Sequence, residues 1–210
     1  MKILSIALLV VLAVFLVLFV TLIGRRRLAQ RTTTVVPVPP RPIQTPGDVR
    51  FGPVEAVYVS TTLHGDWLAR VGAHGLGDRS HAAVTVHGSG SGHGGGSGHD
   101  GGQSGVLIER DGADDLWVPV ETIRSAGLAP GMAGKYVGTD GLVVLTWAVP
   151  EADGVAPALV DTGLRTRRAE DRGGLVDAVH HLLAATQQAQ QAQQAQQYPE
   201  QQYPHQQEAR

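Results

Sequence analysis

Three hydrophobic rhythms divide this chain. From Ile3 to Ile23 the sequence runs 21 residues without a charged side chain. From Val54 onward, short β-type runs recur with turn residues between them: Val54–Thr62, Leu68–Gly72, Ala82–His87, Val106–Arg110, Leu116–Val120, Lys135–Gly138, Leu142–Val149 and Pro157–Thr162. Such spacing predicts a small antiparallel sandwich or barrel. Asp111-Gly112 and Asp140-Gly141 carry hairpin chemistry between neighbouring runs. Leu142–Val149 is apolar almost throughout, which predicts a central strand with Trp147 in the core. The third rhythm is helical: Leu175, Val176, Val179, Leu182 and Leu183 form one stripe over Ala169–Thr186, with Glu170 and Asp171 at the positive end of the helix dipole.

The first run is long enough, at about 1.5 Å per residue, to cross the ~30 Å hydrocarbon core of a bilayer once. Residues 1–24 are therefore expected to be a transmembrane anchor. Only Lys2 precedes the run, whereas Arg25, Arg26, Arg27 and Arg31 follow it. Positive flanks stay cytoplasmic, so the expected topology is N-terminus outside and body in the cytoplasm, at the cell membrane. A cleaved signal peptide fits less well: the run is too long, and Val20-Thr21-Leu22-Ile23-Gly24 offers no small-residue cleavage site.

About 185 residues remain after the anchor, enough for one folded domain. Their composition narrows the chemistry. There is no cysteine, which excludes disulfides and thiolate metal sites. Residues 51–185 hold nine Lys/Arg against sixteen Asp/Glu, an acidic balance that disfavours nucleic acid and anionic headgroups. The exception is Arg165, Arg167, Arg168 and Arg172, a candidate anion or partner patch between a strand and a helix.

Segments outside these rhythms read as connectors. Residues 25–53 are rich in Arg and Pro and predict an extended spacer; the PxxP pattern in Val36–Pro42 also suits docking grooves, although stiff linkers use the same composition. Residues 88–105, largely Gly, Ser and His, predict a disordered loop inside the folded domain of residues 54–186. Residues 187–210 repeat Ala-Gln-Gln and then Gln-Gln-Tyr-Pro, a disordered tail whose first turns extend the helix until Pro199 stops it.

Catalytic and ligand-binding motifs are thin. Asp161-Thr162-Gly163 after Ala158-Leu159-Val160 resembles the loop of retropepsin-like aspartic proteases, which need two carboxylates sharing a proton. With one such motif the chain would have to dimerise, and Leu164 and the arginines beyond it depart from that pattern. His87, His93 and His99 recur every six residues, but a Gly/Ser loop gives metal ligands no scaffold. Adjacent His180 and His181 diverge on a helix, and Gly90, Gly92 and Gly95 match a dinucleotide pattern with no helix to open. No catalytic residue, metal or cofactor is assigned.

Taken as a set, Tyr58-Val59-Ser60-Thr61-Thr62, Gly75-Leu76-Gly77-Asp78-Arg79, Gly105–Arg110, Leu116-Trp117-Val118-Pro119, Leu145-Thr146-Trp147 and Asp161–Arg165 resemble short actinobacterial membrane proteins with a pleckstrin-homology-like (PH-like) domain, some labelled transporters or export proteins. The resemblance implies a bent seven-stranded antiparallel barrel capped by a C-terminal helix, with Asp161-Thr162-Gly163 closing the last strand. Phosphoinositide binding does not carry over, because Thr61–Trp67 contains no Lys or Arg. The expected function is thus a non-enzymatic, membrane-anchored PH-like module that binds a protein in the cytoplasm. A dimeric protease using Asp161 and an accessory export component are the alternatives.

Overall fold

The computed structural model describes residues 9–19, 33–42, 46–89 and 102–197. Among the described residues nine strands and a long helix follow one another: β1 (Asp48–Leu63), β2 (Ser80–Gly88), β3 (Gly105–Arg110), β4 (Leu116–Pro119), β5 (Ile123–Ala129), β6 (Gly131–Met132), β7 (Lys135–Tyr136), β8 (Leu142–Val149), β9 (Ala158–Thr166) and α2 (Asp171–Gln197). Residues 9–19 form the preceding helix, α1. Seven strands make one antiparallel sheet in the order β4-β3-β2-β1-β9-β8-β5, and β6 pairs with β7.

The sheet curls. Leu116 and Val118 from one edge share a single core with Ile123 and Ala126 from the other, together with Val84, Ile108, Trp147 and Leu164. Register shifts in β1 at Val49/Phe51, Phe51/Val54 and Tyr58/Ser60 let its 16 residues bend while pairing with β2 and β9 in turn. α2 closes the curl with Leu175, Val179 and Leu182, the buried part of its stripe. The β6–β7 hairpin covers the outer face, where Met132 packs with Val59 and Leu142.

β8 occupies Leu142–Val149 with β5 and β9 on either side, and Trp147 is fully buried. Three expectations change, and a fourth, the helical start of the Gln-rich tail, is observed. Leu68–Gly72 is not a strand; it folds back on β1 through a single bridge, Thr62 to Arg70, because Asp66 caps the Leu68 and Ala69 amides and turns the chain. The run at 135–138 pairs back on β6 rather than forward across Asp140-Gly141. The spacer is not free throughout: Val36 is completely buried in the core, and the His74 Nε2–H donates to its carbonyl at 3.1 Å. The Gln-rich tail contributes residues 187–197 to α2, as the helix propensity of Ala and Gln allows up to the approach of Pro199.

The anchor meets the described residues only at 9–19, and no helix among the described residues is long and apolar enough to cross a membrane. Residues 3–8 and 20–23 of the expected span lie outside them. So do residues 90–101 of the glycine loop and 198–210 of the tail. The described ends of that loop are tied down: Ser104 Oγ accepts from the Ser89 amide at 2.8 Å, and the Gln103 carbonyl accepts from the Gly47 amide at 2.9 Å.

Candidate interaction surface

β5 sits at the edge of the sheet, bonded to β8 on one side only. Its sequence hides this role, for the burial of Ile123–Ala129 follows no simple alternation. α2 lies beside it, and the His180 Nε2–H donates to the Ala126 carbonyl at 2.9 Å. That bond consumes one edge acceptor and fixes the distance between helix and strand. Leu128, further along β5, leaves 44% of its surface exposed. The edge of β5 is shared with no other strand, and an unshared edge suits an added strand.

On its other flank α2 borders a groove of about 770 Å³ lined by Phe51, Ala178, Leu182 and Ala185, with Asp177 and His181 at its rim. Gly174 brings the helix close: a Cβ there would stand 2.8 Å from the Phe51 ring. His180 and His181 thus serve opposite flanks of the helix, in keeping with their divergence.

The arginines do not converge into one anion site. Arg165 and Arg167 line a groove of about 620 Å³ on the outer face of β1, β2 and β9, but Glu55 and Asp111 line it too. Arg167 Nη1 lies 2.6 Å from Glu55 Oε2, and both side chains are mostly exposed. Arg172 turns away to donate to the Asp140 carbonyl at 3.0 Å, and Arg168 is exposed beyond the end of β9.

Asp161 lies within β9, paired with Thr62 and Thr146, rather than in the loop that an aspartic protease presents. Its carboxylate accepts from Thr146 Oγ1 at 2.7 Å and from His64 Nδ1 at 3.0 Å. Within the chain its polar partners are thus a threonine hydroxyl and a histidine ring. The motif also does not close the strand, which continues to Thr166. His87 is buried in β2 and donates from Nδ1 to the Gly47 carbonyl at 2.8 Å; His93, His99, Gly90, Gly92 and Gly95 lie outside the described residues. Among the described residues no three His, Cys, Asp or Glu gather as a metal site.

Sequence reasoning missed the Trp67–Leu68 tip of the β1–β2 connection, where the side chains are 55% and 61% exposed. The signal was Gly65-Asp66 directly before an apolar pair, a turn followed by residues that no strand absorbs.

The model of the family described as bacterial PH domain-like matches residues 35–93 and 96–180. The chain belongs to that family. No curated protein and no solved structure matches it. The match begins beside Val36, so the PH-like domain includes the buried end of the spacer. A PH-like domain supports, at a coarse level, a protein-interaction module.

Proposed function

We propose that this PH-like protein is a membrane-tethered, non-enzymatic interaction module that receives an extended segment of a partner protein along β5, beside α2. The observation that carries the reading is the unshared edge of β5 held against a helix, with exposed Leu128 on it. An added strand gains main-chain hydrogen bonds there, while the helix and Leu128 supply side-chain selectivity. Nothing in this mode requires a cofactor, nucleic acid or a phosphoinositide.

The tether is supported by the 21-residue uncharged run and by α1, whose large apolar side chains are 52–68% exposed and need an apolar medium. The arginines after the run favour a cytoplasmic domain. Replacing Ser91 with Cys in this cysteine-free chain tests that topology: labelling by an impermeant maleimide only after lysis is expected, and labelling of intact cells would place the domain outside. For the binding mode, a photo-crosslinker at Leu128 in cells should give a discrete protein adduct, while one at exposed Arg168 should not. Equal adducts at both positions, or none at Leu128, would refute the β5 assignment. The dimeric protease draws no support from an Asp161 held inside a strand. An export role would require assembly with other chains, since one helix encloses no pathway.

A further inference from the structure

We infer that the Trp67–Leu68 tip is a second docking surface, distinct from β5, which receives a Lys/Arg-rich segment of a partner protein. Trp67 is the exposed one of three tryptophans; Trp117 and Trp147 are almost completely buried. Its exposure is built rather than incidental. Asp66 Oδ1 accepts from the Leu68 and Ala69 amides at 3.0 and 3.2 Å, the Leu63 amide donates to the Ala69 carbonyl at 3.0 Å, and the Ala133 amide of the β6–β7 turn donates to the Trp67 carbonyl at 2.8 Å. Two backbone–backbone bonds and two bonds to the Asp66 carboxylate thus hold an indole and a leucine side chain out in solvent. Rigid exposed aromatics of this kind are the usual anchors of protein interfaces.

Charge selects the occupant. Three connections meet around this end of the barrel. The His64 amide donates to the Leu159 carbonyl just beyond the β8–β9 turn, and Arg110 Nη1 reaches the Gly75 carbonyl from beside the β3–β4 turn. These connections expose Asp66 and Asp78, then Asp111, Asp114 and Asp115, then Glu151 and Asp153. Against these seven acids stand exposed Arg70 and Arg79 and, on the β6–β7 hairpin that bonds the Trp67 carbonyl, exposed Lys135, while Arg110 is buried. An anionic bilayer or a nucleic acid would be repelled from such a surface. A segment bearing guanidinium or ammonium groups is attracted to the carboxylates, can stack a cation on the indole, and can set an apolar side chain on Leu68.

The test uses the full chain in mild detergent, with empty micelles as blank, and follows the anisotropy of labelled peptides in which leucines are spaced by Arg, by Ser or by Glu. The Arg peptide should bind, the Ser peptide weakly and the Glu peptide not at all, with affinity falling as salt rises. Trp67→Ala and the pair Glu151→Gln/Asp153→Asn should each weaken the Arg peptide by about tenfold. Leu68→Ser should weaken it too, and Leu128→Arg should leave it unchanged. Both tip substitutions alter exposed side chains, and far-UV circular dichroism reports whether they fold. Binding of the Arg peptide that ignores Trp67→Ala and Leu68→Ser would overturn the proposal. So would a blue shift of tryptophan emission on zwitterionic vesicles without peptide, which would make the tip a membrane contact. Loss of binding in Leu128→Arg alone would refute the tip while supporting the β5 reading.

Discussion

A chain of buried hydrogen bonds crosses three adjacent strands, β8, β9 and β1, and its direction is set by its two ends. The Trp147 indole N–H donates to Thr162 Oγ1 at 3.0 Å, and the Tyr58 hydroxyl donates to the Leu76 carbonyl at 3.0 Å. Between them Thr162 must donate to Thr61 at 2.8 Å, and Thr61 to Tyr58. Trp147, Thr162, Thr61 and Tyr58 are all completely buried. Thr162→Val keeps the side-chain shape and breaks the chain in the middle. It strands the Trp147 N–H with no acceptor and removes the donor to Thr61. A buried donor left unsatisfied costs ~1–3 kcal/mol and a lost buried bond ~1 kcal/mol, so about 2–4 kcal/mol is expected. For a domain of this size that lowers the melting temperature by roughly 4–16 °C. Thr162→Ser retains the hydroxyl and loses one methyl, for about 1 kcal/mol. Urea titration of the full chain in mild detergent, followed by far-UV circular dichroism, measures all three proteins. Adding Trp147→Phe to Thr162→Val removes the stranded donor, so the double variant should be more stable than the sum of the two single losses implies. A Thr162→Val no worse than Thr162→Ser, or strictly additive losses, would refute the directional chain.

Burial raises the Tyr58 hydroxyl to about 12 from an ordinary value of 10. The folded state therefore keeps its proton where the unfolded chain has lost it; stability should hold up to about pH 10 and decline through pH 12, and Tyr58→Phe should flatten that decline. Val36→Ala should lower stability by ~2 kcal/mol in urea titration, against less than ~0.5 kcal/mol for Val38→Ala, whose side chain is 41% exposed. A Cβ at Gly173 meets nothing within 4 Å, whereas one at Gly174 lies 2.8 Å from the Phe51 ring. Gly173→Ala should thus raise the melting temperature slightly, by up to ~1 kcal/mol of helix propensity, and Gly174→Ala should lower it.

Much of the barrel was legible because its interior strands announce themselves. β8 matches the apolar run Leu142–Val149 residue for residue, since both its faces are covered: Val143, Leu145, Trp147 and Val149 enter the main core, and Leu142 and Val144 pack with Met132 under the β6–β7 hairpin. β5 left no such mark. Its residues Arg124, Ser125 and Gly127 read as a connection, and only pairing with β8 makes them a strand. Val36 was hidden for a different reason. It sits at the start of a proline-rich run, Pro37, Pro39, Pro40 and Pro42, and proline composition reports stiffness without saying whether one side chain finds a hole in the core. The interaction surfaces were the least legible, because the β5 edge and the spacing of His180 from Ala126 exist only once the sheet has curled.

Under the proposed membrane tether, the docking of Val36 sets the length of the leash. Thirteen positions separate Ile23 from Val36, whereas 31 separate Ile23 from Val54, the expected start of the folded domain. At ~3.5 Å per residue, the upper reach of a chain in any conformation, the first distance is at most about 45 Å and the second about 110 Å. With Ile23 at the bilayer face, the space the domain can sweep shrinks by roughly an order of magnitude. Partners confined to the same membrane, and carrying their own segments close to its surface, would meet this domain far more often than partners diffusing in bulk.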